Sequence, residues 1–172
     1  MLLLGQTIAC AGMVLGKEVS WFPTYGPEMR GGRAACWVVV SDETIGSPVV
    51  SHPDAGILLD PVAVGERAAT LHPDGTLVLN TSLIRETPPR NDLRVVCVRA
   101  NEIAEQLGNV RVANMVLLGA YAERTGVLPL ECLPDALKHA LPERHHQFIP
   151  LNIRAIEAGA ECIATGKELV SA

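Results

Sequence analysis

Apolar residues recur along this chain in short blocks separated by glycine, proline and charged clusters, and the spacing within each block predicts its element. The opening block, Met1 to Gly16, carries no charged residue. It reads as a buried helix from about Leu2 to Val14 that stops near Gly16. Its apolar character also fits the hydrophobic part of a secretion signal with Ala9-Cys10-Ala11 as the cleavage site, but the positive residues that should precede one are lacking.

Short runs of the buried-strand type follow: Val19 to Phe22, Ala34 to Val40 with Trp37 and three consecutive valines, and Gly56 to Leu59 after the Pro53-Asp54 turn. Pro61 to Thr70 reads as a short helix with proline in its first turn, and His72-Pro73-Asp74-Gly75 turns the chain into a strand from Thr76 to Asn80. Leu83 to Asp92, with Pro88-Pro89, predicts a surface loop before a strand from Leu93 to Val98. Helices are expected over Asn101 to Leu107 with Gly108 as the stop, and over Val112 to Thr125 with Met115, Leu118 and Ala122 on one face and Gly126 at its end. Pro134 to Leu141 and Glu143 to Thr165 supply the rest, the second interrupted near Pro150. Strands alternating with helices predict an α/β fold, a three-layer domain around a mainly parallel sheet, with residues 1–172 as a single domain.

Composition narrows the classes. Hydrophobic residues make up 48% of the 172, aromatics only 3%, so the core is aliphatic. A mean hydropathy of +0.24 is high for a solitary domain and points to surface covered by partners. Fourteen Lys and Arg against nineteen Asp and Glu leave a net charge of -5 with the basic residues scattered. That argues against nucleic acid and against an anionic membrane surface. No run is long enough to span a membrane. Five separated cysteines, Cys10, Cys36, Cys97, Cys132 and Cys162, form no Cys-x-x-Cys pair. They read as reduced, buried small hydrophobes, and no iron–sulfur cluster or structural zinc is expected on this chain.

The stretch least explained by packing is Trp21 to Arg33, with Gly26, Gly31 and Gly32, Pro23 and Pro27, Tyr25, Glu28, Arg30 and Arg33. Glycines permit close approach and prolines stiffen the path, so the segment is built to hold a shape. Arginine forks suit phosphate or carboxylate, and the N–H groups around Gly31 and Gly32 could form an anion-binding nest. Equally, Glu28 and Arg30 could pair with each other or with a neighbouring subunit. Asn114, in an otherwise apolar helix, is an amide that needs partners, either its own backbone or the loop and a ligand. The paired His145-His146 point to different helix faces and read as solvated surface. Asp54 and Asp74, next to proline and glycine, read as turn formers.

Tyr25-Gly26-Pro27-Glu28-Met29-Arg30-Gly31-Gly32, followed by Ala34-Ala35-Cys36, Ser41-Asp42-Glu43 and Ile45-Gly46-Ser47-Pro48, resembles the gamma subunit of the 2-oxoacid:ferredoxin oxidoreductases. The resemblance continues through Pro53-Asp54, Gly75, Asn80-Thr81-Ser82-Leu83-Ile84, Asn114-Met115, Leu151-Asn152 and Gly159, and so covers essentially the whole chain. It implies a Rossmann-like build, and the loop looks more like the 2-oxoglutarate and branched-chain branches than the pyruvate one. Members of that family carry a first strand and a Gly-Phe-Gly-Gly-Gln-Gly-Val turn before the first helix. This sequence starts at Met1 where that turn would be ending, so the strand and turn are expected to be missing.

The resemblance further implies a cytoplasmic hetero-oligomer that oxidises a 2-oxoacid with coenzyme A and reduces ferredoxin. Alpha, beta and delta-type subunits would hold thiamine diphosphate with Mg2+ and the iron–sulfur clusters, and this chain would hold none of them alone. Under that reading Arg30 or Arg33 meets coenzyme A phosphates or a neighbouring carboxylate, Tyr25 and Met29 pack, Glu28 orients the arginine, and the backbone at Gly26, Gly31 and Gly32 lets the ligand approach. Two alternatives stay open on sequence: a free-standing nucleotide-binding or regulatory protein of the same fold, and a scaffold within the same complex whose loop touches only protein.

Overall fold

The computed structural model describes residues 1–25, 34–61, 64–86 and 88–166. Their contacts divide into two compact units, one comprising Met1–Val50 with Glu131–Ile149, the other built on Ser51–Leu130 and the segment from Pro150 onward.

In the first unit, helix α1 (Leu2–Val14) is followed by strands β1 (Glu18–Tyr25) and β2 (Ala34–Ser41). Gly16, at φ 72°, takes the left-handed conformation that lets the chain reverse after the helix. Strands β1 and β2 pair antiparallel from Glu18↔Ser41 to Tyr25↔Ala34 and form a two-stranded sheet. Small residues let α1 lie close to this ribbon: a Cβ on Gly5 would stand 2.3 Å from Cys36 Sγ, and one on Gly12 would stand 2.8 Å from Val19 Cγ2. Helix α5 (Leu133–Ala140) also packs on α1, burying Leu133, Ala136, Leu137 and Ala140 on an apolar stripe. A 3-10 segment, Glu143–Phe148, completes the unit.

The second unit holds the parallel sheet, in the order β3 (Ala55–Leu58), β4 (Thr76–Asn80), β5 (Arg94–Val98). Helix α2 (Val64–Thr70) covers one face, where Val64, Ala68, Leu71, Leu77, Leu79 and Ile84 form one apolar cluster. Alternation along β4 sends Val78 and Asn80 to the opposite face. There helix α4 (Ala113–Thr125) packs against β4 and β5, and α3 (Ala100–Gln106) packs on α4. Gly108 at φ 90° and Gly126 at φ 65° follow the ends of these two helices, as their sequence positions predict. Met115, Val116, Leu117 and Leu118 are all fully buried, so α4 is apolar nearly all round. Each such side chain contributes about 1.5–3 kcal/mol. Helix α6 (Ile149–Ala164) crosses α4 where glycines remove the side chains, since a Cβ on Gly119 would lie 1.9 Å from Ile156 O and one on Gly159 the same distance from Val116 O.

One expectation changes. The sheet is not a single mainly parallel one: three strands are parallel and a separate antiparallel pair carries β1 and β2. The connection between Tyr25 and Ala34 is too short for a parallel crossover, which needs about a dozen residues, so the two strands can only pair with each other as a hairpin. The expected interruption near Pro150 is present: the 3-10 segment Glu143–Phe148 gives way there to α6 (Ile149–Ala164), with Pro150 in the first turn of α6, where its missing N–H costs nothing.

Candidate functional site

Gly26, Glu28, Arg30, Gly31, Gly32 and Arg33 lie outside the described residues, as do Pro27 and Met29. What the structure supplies is their mounting. Tyr25 ends β1 paired with Ala34 at the start of β2, so residues 26–33 join the two strands at the far end of the hairpin. Because β1 and β2 make up their own two-stranded sheet, this segment does not follow a strand of the parallel sheet. A hairpin end is held by the ladder on both sides, which fixes where the loop begins and where it returns.

The ribbon has two unlike faces. Val19, Trp21, Cys36, Val38 and Val40 face α1, as the approach distances at Gly5 and Gly12 require. Burial raises the Cys36 thiol above its ordinary range, with the Trp21 indole N–H opposing the shift. The alternate residues Ser20, Phe22 and Thr24 on β1 face away from α1 with Ala35, Trp37 and Val39 on β2, and Phe22 stands directly across from Trp37. Phe22 is 42% exposed. Thr24 Oγ1 donates to Ala35 O at 3.3 Å. At the base of the hairpin Lys17 pairs with Asp42, and Ser41 Oγ accepts from the Glu43 N–H at 2.9 Å.

Asn114 belongs to the first turn of α4 in the other unit and is half-buried rather than enclosed in the core. The amide that is enclosed is Asn80, 1% exposed at the end of β4. Its Nδ2 donates to Asn101 Oδ1 at 3.0 Å, and the Asn101 N–H donates to Ser82 Oγ at 3.0 Å. The Thr81 N–H continues the ladder to Val98 O, and Asn80 O accepts from Leu83 and Ile84. Asn80 Oδ1 and Thr81 Oγ1 are buried without a hydrogen-bond partner. This polar knot sits at the carboxyl ends of β4 and β5, the edge at which parallel sheets receive ligands. Sequence reading passed over it as a site; the signal was an asparagine closing the apolar run Leu77-Val78-Leu79 and followed by two hydroxyl residues.

The remaining candidates resolve into scaffolding. The turn His72 to Gly75 forms as expected: Gly75 N–H donates to His72 O, Thr76 N–H donates to Asp54 O, and Asp74 takes φ 61°. His146, expected as solvated surface, is half-buried, and its Nε2 reaches Leu141 O at 2.9 Å and Lys138 O at 3.2 Å at the carboxyl end of α5. His145 stacks on Phe148 with ring centroids 6.1 Å apart. None of the five cysteines forms a disulfide; Cys97, Cys132 and Cys162 are buried, whereas Cys10 and Cys36 are only half-buried. Among the described residues no group of three His, Cys, Asp or Glu side chains could hold a metal ion, and no helix is long and apolar enough to cross a membrane.

Comparison with known proteins places this fold. The ketoisovalerate oxidoreductase subunit VorA of Methanothermobacter marburgensis is 34% identical over 160 residues, which are 92% of this chain but 33% of that one. The chain thus spans about a third of the length of such relatives. The 2-oxoglutarate synthase subunit KorC of the same organism is 33% identical over 180 residues, covering 95% of this chain and 94% of that one. Among solved structures, the gamma subunit of a keto/oxoacid ferredoxin oxidoreductase from Geobacter sulfurreducens superposes with a TM-score of 0.79 at 30% identity, over 97% of this chain and 90% of that one. With residues 1–162 matching the family described as pyruvate ferredoxin/flavodoxin oxidoreductase, the chain belongs to that family and is of its gamma-subunit type.

Proposed function

We propose that this chain is the gamma subunit of a hetero-oligomeric 2-oxoacid:ferredoxin oxidoreductase that converts 2-oxoglutarate and coenzyme A to succinyl-coenzyme A and CO2 while reducing ferredoxin, and that its hairpin-end loop lines the coenzyme A site. The observation that supports the reading is the hairpin: an antiparallel ladder running unbroken to Tyr25↔Ala34 fixes both ends of the sequence segment that contains Glu28, Arg30 and Arg33. The 2-oxoglutarate assignment rests on the near-complete coverage of the 2-oxoglutarate synthase subunit, whereas VorA is matched over a third of its length. Thiamine diphosphate supplies the carbanion chemistry of decarboxylation and iron–sulfur clusters take up the electrons. Both belong to the other subunits in this reading.

The work of this chain is binding and orientation. An arginine fork offers paired N–H donors to a phosphate of coenzyme A, a charge-assisted contact worth about 1.5–3 kcal/mol. Glu28, two residues before Arg30, holds the guanidinium in place when the ligand is absent. Coenzyme A-dependent dye reduction by the purified complex, run with 2-oxoglutarate, ketoisovalerate and pyruvate, tests the assignment. Arg30→Ala should raise KM for coenzyme A roughly 10- to 100-fold with the 2-oxoacid KM unchanged, the range that loss of one such contact implies. An unchanged KM in an intact complex removes the loop from ligand binding, and a faster turnover on ketoisovalerate than on 2-oxoglutarate removes the substrate assignment.

A further inference from the structure

No further inference is drawn: the strongest candidate, the polar side-chain cluster of Asn80, Thr81, Ser82 and Asn101 at the carboxyl ends of β4 and β5, leaves Asn80 Oδ1 and Thr81 Oγ1 without hydrogen-bond partners but encloses both oxygens in protein, and nothing in the structure shows what ligand would reach them.

Discussion

Gly119 and Gly159 hold α4 and α6 together by having nothing to hold with. A methyl group on either would need to occupy space within 1.9 Å of the opposing backbone carbonyl, and backbone cannot rotate out of the way as a side-chain end can. Gly119→Ala and Gly159→Ala should each destabilise the chain by about 3 kcal/mol, the upper part of the range for overpacking, although alanine is the better helix former. Chemical denaturation of the two variants decides this; a midpoint at or above the original would mean the helices can slide apart freely. At the end of β4 the direction of argument reverses, because there the cost lies in leaving polar groups without partners. Asn101→Ala strands the buried Nδ2 of Asn80 and should cost about 1–3 kcal/mol. Adding Asn80→Ala to it should cost less than the sum of the single losses, a coupling of about 0.5–3 kcal/mol readable in a double-mutant cycle. Strict additivity would show that the two amides are not a unit.

Among the elements, those with chemical punctuation were readable in the sequence. Gly16, Gly108 and Gly126 follow their helices at positive φ, Pro134 opens α5, and β4 runs from Thr76 to Asn80 as expected. The pairing direction of the early strands was not readable from their composition. Val38-Val39-Val40 forms the same apolar run whether its neighbour lies parallel or antiparallel, and only the length of the connection, not the strand composition, decides. The ribbon also escaped because its strands look like core and are not: β2 has the composition of a buried strand and no fully buried residue. Of the candidate site, the loop's residue types were legible and its attachment was not. The knot of Asn80, Thr81, Ser82 and Asn101 stayed hidden because asparagine after a strand reads equally as a turn residue, and its burial depends on α3, twenty residues further along.

For the whole molecule, the segment Glu131–Ile149 belongs with Met1–Val50, and the chain passes between the two units near residues 50, 130 and 149. Neither unit is therefore closed by a contiguous stretch ending before the last helix. A chain ending at Leu130 loses α5, which packs on α1, and α6, whose Gly159 seats on α4. Such a truncation should keep part of its helical signal and lose its near-ultraviolet dichroism, the mark of unfixed side-chain packing. A native near-ultraviolet spectrum would show that each unit is complete without its late segment. The same threading sets an order of events at the ribosome. The parallel sheet with α3 and α4 is in hand once residue 130 has been made, while the earlier-synthesised hairpin waits for α5. The earlier-made segment is finished after the later one. During that interval its valine-rich strands are open to neighbouring nascent chains, so weak expression, which keeps nascent chains dilute, should favour recovery of the soluble protein.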